Sequence, residues 1–407
     1  MIPVSIYPRP SVTHADFSDS LSSMRIAFVS TLDLEPWGGS EELWSQTAAR
    51  LAGQGHQVSA SVAHQPQLSP KLRQLETAGV PVTVRPPPHV GILRRVARKL
   101  VPYQPWKAAL AHLAPDLVVI SQCGFTDGLD CMRFCREQRL PYVTIVQLNA
   151  EVFWPSDLVR DDMLEVYPAA RKVCCVSRHN LDLLQRQLGQ SLPHGQVVQN
   201  PFNISADRPL TWPASDPVWK LACVARLDPR AKGQDLLLSI FSRPAWRVRP
   251  VELNLYGAGL WERGLRQLAQ RFELKNVHFR GHVGDIDELW AQNQLLVLPS
   301  RYEGMPLALI ESMWRARPAV VTDVGGNADL CVDNQTGFVA PAATKPLVAE
   351  ALERAWTRRD DWESMGLAAR ARAEQIISRD PVADLARELI EIASPEATTQ
   401  KASGLPE

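Results

Sequence analysis

Residues 295–317 read LLVLPSRYEGMPLALIESMWRAR. The stretch opens on an uninterrupted apolar run, the pattern of a short strand buried on both faces. A polar turn carrying Glu303 follows, and Gly304, Met305 and Pro306 lead into a helical stretch that holds Leu307 and Glu311. Pro306 is expected in the first helical turn, where its missing N–H leaves no intrahelical bond unmade. Strand, turn and helix in this order make half of a βαβ unit, so the stretch predicts a parallel sheet with crossover helices. Glu303 is then expected at the carboxyl end of a strand, the side on which such sheets collect ligands.

The same grammar recurs along the chain. Candidate strands lie at 25–30 (RIAFVS), 56–62, 80–84, 117–121, 142–147 and 172–177, with helical patterns such as 41–53 between most of them. From 207 to 219 the chain turns rich in Pro, Ser and Trp (DRPLTWPASDPVW), the composition of a linker. The pattern restarts with apolar runs at 220–225, 251–256, 277–280, 295–299 and 319–322, again separated by helical segments such as 261–272. The expected fold class is therefore α/β: two successive doubly wound, Rossmann-like domains facing each other across a cleft. A length of 407 residues agrees with two cores. The expected division is a disordered leader at 1–23, domains at 24–206 and 207–380, and a last segment at 381–407. In that segment VADLARELIEI (382–392) has apolar residues at helical spacing and should pack on a neighbour.

Composition removes several function classes. Lys plus Arg and Asp plus Glu balance at 44 each, so nothing in the global charge favours nucleic acid. The seven cysteines include no CxxC pair, which disfavours a zinc site or disulfide framework. No apolar run approaches the ~20 residues of a membrane span, and the first residues lack the apolar core of a signal peptide. A cytoplasmic location is expected. The segment 85–107 holds six basic residues, Arg85, Arg94, Arg95, Arg98, Lys99 and Lys107, and no acid, with apolar residues interleaved. Such a segment is either a solvated helix face or a peripheral contact with the inner membrane face.

Other residues could carry chemistry. Gly38 and Gly39 follow the first strand, where glycine lets backbone approach a ligand closely. Arg226 follows the strand at 220–225, and Lys232 comes six residues later, before Gly233. By themselves these two are either solvated cations or an anion clamp. Gly257-Ala258-Gly259 is the nearest approach to a dinucleotide fingerprint, but Glu262 stands at the third glycine position and the strand VHFRG lacks the expected acid. A nicotinamide-dependent enzyme is disfavoured on both counts.

The words around these residues carry a resemblance. EGMPLALIE (303–311) looks like the EX7E motif of family 4 retaining glycosyltransferases, whose fold is called GT-B. VARLDPRAKGQDLLL (224–238), LYGAGLWERGL (255–265), VHFRGHVGDIDELW (277–290) and VVTDVGGNADLCVDNQTGFVAP (320–341) resemble that family's later blocks in order. WGGSEELWSQTAARLAGQGHQV (37–58), CCVSRHNLDLL (174–184) and VVQNPFNI (197–204) resemble its N-terminal ones. The resemblance implies a nucleotide-sugar-dependent transferase of polysaccharide biosynthesis, with a hexose-type donor and a glycan, lipid-linked or small acceptor. A nucleotide-sugar epimerase and a silent binding protein of the same fold are the alternatives.

It also implies roles. Arg226 and Lys232 clamp the donor diphosphate, Glu303 holds the transferred sugar, Glu311 takes the ribose diol, and the Gly38-Gly39 loop faces the diphosphate. Gly304, Met305, Pro306 and Leu307 line the donor, and His282 and Val283 meet the nucleobase. No metal or other cofactor is required. Two positions depart from the family. Gln147 stands where a histidine is common, with Asn149 beside it, and Asp329 replaces the glutamate of the GGxxE block. Gln147 and Asn149 can hydrogen-bond sugar hydroxyls but do not titrate near neutrality.

Overall fold

The structure, a computed structural model, describes residues 23–33, 37–64, 69–85, 106–204, 211–213 and 217–394. The expected leader (apart from Ser23), most of the basic segment, parts of the linker and the tail after Ser394 lie outside the described residues.

The first sheet has seven strands: β1 (Arg25–Ser30), β2 (Gln57–Ala63), β3 (Val82–Arg85), β4 (Leu117–Gln122), β5 (Tyr142–Val146), β6 (Lys172–Cys175) and β7 (Gly195–Val197). The second has six: β8 (Trp219–Val224), β9 (Val251–Tyr256), β10 (Val277–Gly281), β11 (Leu295–Leu298), β12 (Ala319–Thr322) and β13 (Gly337–Ala340). Their orders are β3-β2-β1-β4-β5-β6-β7 and β10-β9-β8-β11-β12-β13, with all pairs parallel. The second sheet repeats the order of the first six strands of the first. Both central strands β4 and β11 are buried at every residue, as parallel strands covered by helices on two faces must be.

In each sheet the strand order reverses between the first and fourth strands, which opens a crevice at their carboxyl ends. For the first sheet this point lies between β1 and β4, where the Thr31 hydroxyl accepts from the Cys123 N–H at 2.9 Å. For the second it lies between β8 and β11, and the loops leaving these two strands carry Arg226, Lys232 and Glu303.

Two strands escaped the sequence reading, Gly195–Val197 and Gly337–Ala340. Both are three or four residues long and start with glycine, so their apolar patterns are short. The third strand begins two residues later than expected, after Pro81.

Helices that matter for the site are α1 (Gly39–Gly53), α2 (Arg178–Leu188), α3 (Leu307–Trp314), α4 (Trp362–Ile376) and α5 (Pro381–Ala393). The last packs against α1, and Arg50 of α1 reaches Asp380 at 2.8 Å. A buried apolar cluster runs from Phe28, Trp44 and Leu389 to Trp290, Leu309 and Trp314, so side chains from both sheets share one core. The chain passes between the halves once after β7 and once between α4 and α5. Gln199 ties the two passages together: its amide donates to Ile376 O (2.8 Å) and accepts from the Ser378 N–H (2.7 Å).

Arg85 corrects one expectation. It is buried at the end of β3, where its guanidinium donates to Ser61 O at 2.6 Å and also to Ser30 O. It is a part of the domain interior, not of a basic surface.

Candidate active site

The loop after β8 is built to meet the loop after β11. Asp228 accepts from the Arg230 N–H at 3.1 Å, capping the single turn Pro229–Lys232, and Gln234 donates to Arg226 O at 2.8 Å. Gly233 closes that turn with φ +67°, and a Cβ there would lie 2.1 Å from Pro299 O. Only glycine allows that backbone approach. Arg301 adds a second weld, with its N–H on Ala231 O (2.7 Å) and its guanidinium on Asp235 (2.7 and 2.8 Å).

The result is a direct pairing of the predicted residues. Lys232 Nζ stands 2.7 Å from both Oε1 and Oε2 of Glu303, and the Ser300 hydroxyl donates to Oε1 at 2.7 Å. Glu303 is 6% exposed, so this carboxylate is desolvated and held by two charge-assisted partners. Ser300, itself buried, is held by the Thr322 hydroxyl on its carbonyl (2.6 Å). Arg226 lies two residues beyond the β8 carboxyl end, with its guanidinium 3.7 Å from Asp228. The glycines 257 and 259 press on this loop, since Cβ atoms there would sit 2.2 Å from Ala225 O and 2.4 Å from Leu227 O. Their spacing thus reflects strand-end packing, not a dinucleotide turn.

Glu311 lies within α3, 4% exposed. Burial pushes its carboxyl up to about 7, opposed by the Asn203 backbone N–H and the Arg315 charge. Pro306 departs from expectation by one position: it is the N-cap of α3, with ψ 108°, and its carbonyl accepts from Leu309 N–H at 3.1 Å.

The opposite wall comes from the first sheet. A Cβ on Gly39 would touch Leu307 at 3.3 Å, and one on Gly304 would lie 2.0 Å from Gln147 O. Gln147 and Asn200 exchange amide hydrogen bonds at 2.8 and 3.2 Å. Met305 lies beside Gly326, whose N–H donates to Gly304 O at 2.8 Å. Asp329 accepts from the Arg178 N–H at 3.0 Å, so an acid of the second half caps α2 of the first.

Asn149 is turned the other way, buried and bonded to Gln187 of α2 at 2.7 Å. His282 and Val283 follow β10, whose last residue Gly281 accepts from the Gly257 N–H at 2.7 Å. His282 is exposed and Val283 packs on the shared core.

The comparisons agree with the fold. Residues 37–206 match the family described as Glycosyltransferase Family 4, and residues 219–358 match Glycosyl transferases group 1. By family and fold, the chain is a GT-B glycosyltransferase. The D-rhamnosyltransferase of Pseudomonas aeruginosa is 30% identical over 129 residues, 30% of this chain and 34% of that protein. The alignment therefore spans about a third of that curated relative's length. Among solved structures, Anabaena HepE in complex with UDP and glucose is similar with TM-score 0.70 at 20% identity, over 90% of this chain and 99% of that one. A glycosyltransferase from Rickettsia africae gives TM-score 0.71 at 15% identity, over 91% and 99%.

Sequence reasoning missed several residues around the candidate site. Ser300 and Asn200 are common polar residues with no spacing signal of their own, and only the fold sets them on Glu303 and Gln147. Glu41 stands in the first turn of α1, beside Gly38 and Gly39. It is buried, which pushes its carboxyl up to about 7 despite the Ser30 hydroxyl donating at 2.8 Å. Among the described residues no group of three or more His, Cys, Asp or Glu could hold a metal ion, and no helix is long and apolar enough to cross a membrane.

Proposed function

We propose that this glycosyltransferase moves a hexose-type sugar, with retention of configuration, from a nucleoside-diphosphate sugar to a hydroxyl of a glycan or glycolipid. The observation that carries the reading is the Lys232–Glu303 pair at the reversal point of the second sheet, with Arg226 on the adjoining loop.

Transfer breaks the bond between the anomeric carbon and the β-phosphate oxygen and forms one to the acceptor oxygen. The acceptor proton passes to the leaving phosphate oxygen. Negative charge grows on the diphosphate, and cations already fixed in a partly desolvated cleft stabilise it as it develops. An ammonium has three N–H donors. Lys232 spends two on Glu303 and can direct the third at a phosphate oxygen, with Arg226 on the other side. Glu303, held in place by Lys232 and Ser300, orients the sugar hydroxyls and favours an oxocarbenium-like transition state by its charge. Glu311 receives the ribose diol, Gly38 and Gly39 face the diphosphate, and His282 with Val283 meets the base. Gln147 serves from the first half in place of the family's usual histidine. Arg226 and Lys232 supply the positive charge that a divalent ion supplies elsewhere, so turnover should survive chelation.

HepE was solved with UDP and glucose, which makes UDP the first nucleotide to try. Isothermal titration with UDP, GDP, ADP and CMP, followed by turnover with a panel of nucleotide sugars, tests the reading. Binding of none of the diphosphates would overturn it.

A further inference from the structure

Of the large apolar side chains that stand exposed among the described residues, four fall within seven positions: Val152 (72%), Phe153 (42%), Trp154 (59%) and Leu158 (81%). Single exposed apolar residues need no explanation, but a contiguous patch of them marks a binding surface. The segment's own packing does not account for it. The short turn Glu151–Phe153 buries nothing, and the helix Asp157–Val166 buries Met163 and Val166 instead.

The patch sits at the mouth of the cleft. The Phe153 ring meets the Tyr302 ring edge-on, with centroids 5.1 Å apart at 65°, and Tyr302 is the residue before Glu303. An aromatic ledge of the first half thus begins one ring away from the carboxylate that the transferase reading gives to the transferred sugar. Around the patch most exposed charges are acids, Glu151, Asp157, Asp161 and Asp162, with Arg186 standing 3.9 Å from Glu151 and Arg133 pairing with Asp162 at 2.6 Å. His179 lies on Glu151 at 2.9 Å, and the Arg160 guanidinium is turned inward to Leu188 O at 2.7 Å. Acids repel a phosphate-bearing ligand and an anionic lipid surface, which apolar patches on membrane-binding proteins meet with Lys and Arg. They accept hydroxyl hydrogen bonds well. Flat aromatic faces ringed by carboxylates suit a ligand with C–H faces and hydroxyl edges.

We propose that Trp154 and Phe153 form the platform on which a neutral sugar ring of the acceptor stacks. The proposal rests on the transferase reading and adds the chemistry of the acceptor: an uncharged glycan, bound at its acceptor end by aromatic faces. Val152 and Leu158 extend the ledge for a second ring.

The test uses the full chain on an array of neutral oligosaccharides, with UDP binding measured on the same preparations. Wild type should bind at least one neutral oligosaccharide. Trp154→Ala should weaken that binding at least tenfold, Trp154→Phe should largely retain it, and Leu367→Ser, at an exposed residue elsewhere, should leave it unchanged. UDP affinity should be the same in all four proteins. No oligosaccharide binding, or binding indifferent to Trp154→Ala, overturns the platform while UDP binding leaves the transferase reading standing. Cosedimentation with phosphatidylcholine vesicles containing phosphatidylglycerol that is lost in Trp154→Ala also overturns it, in favour of a lipid surface. Oligosaccharide binding through Trp154 without binding of any nucleoside diphosphate would keep the platform and sink the transferase.

Discussion

Lys232 Nζ is equidistant, at 2.7 Å, from the two carboxylate oxygens of Glu303, although each residue belongs to a loop leaving a different strand. The pair fixes both partners: the ammonium cannot swing away without stranding a desolvated carboxylate, and the carboxylate cannot rotate without losing a donor. Electrostatic groups that are set before the reaction cost no reorganisation during it.

Glu303→Gln keeps the size and one acceptor oxygen but removes the charge. We expect transfer to fall by about 10²–10³-fold in kcat, the usual effect of losing one preorganised electrostatic partner. Nucleoside diphosphate affinity should change little. Steady-state kinetics beside calorimetric titration of UDP checks this, and full activity in the variant would refute the role given to Glu303.

Glu311 links stability to pH in an unusual direction. In the folded protein its proton is retained up to about pH 7, whereas an ordinary glutamate releases it near 4.5. The folded state therefore binds more protons across that window, and stability is lost as pH rises through it. Glu311→Gln should stabilise the protein at pH 8 by up to about 3 kcal/mol, the value of a shift of this size. The same variant should bind the nucleotide more weakly. UDP affinity of wild type should rise between pH 6 and 8, and the variant should lose the part of that rise due to Glu311. Urea denaturation at pH 5 and pH 8, with titrations at both, would expose an error in either half.

At Gly304 the backbone of the second half comes up against Gln147 of the first. A methyl group there would lie 2.0 Å from Gln147 O, well inside contact distance. Gly304→Ala should push the loop of Glu303 off the opposite wall and cost about 1–3 kcal/mol, as overpacking does. Activity should fall further than stability, because a displacement of the order of 1 Å is expensive for catalysis. A variant with wild-type kcat would show that this contact is dispensable.

Gln199 is the clasp between the two chain passages. Gln199→Ala removes both bonds to 376–378, worth about 1 kcal/mol each where partly buried. Amide exchange at Ser378 should accelerate while exchange in the central strands β4 and β11 stays slow. Unchanged protection of Ser378 would mean that the clasp does not hold the passages together.

Much of this was legible in the chain. RIAFVS and AVVT became β1 and β12 with the boundaries read from their apolar runs, and Glu303 stands where a strand-then-helix reading puts it. The resemblance of the ordered blocks to GT-B glycosyltransferases led to the right fold. The short strands β7 and β13 were not legible, because three or four residues opening on glycine carry too little periodicity. Arg85 was misread for a related reason: neighbouring basic residues suggested a surface, while the end of β3 turns its side chain into the carbonyls of Ser61 and Ser30. Asn149 has the same composition signal as Gln147, yet it bonds Gln187, whereas Gln147 O meets the Gly304 loop of the second half.

The sequence alone determined most of the strands, where the glycines of the loops stand, and which acids and bases follow strand ends. Those properties follow from neighbours a few positions apart. The tertiary structure decided the partners: Lys232 on Glu303, Gln147 on Asn200, Asn203 on Glu311 and Phe153 on Tyr302. These depend on the order of strands in two sheets and on how one half meets the other. That order is set by the burial of whole faces, to which each residue contributes but which no local pattern encodes.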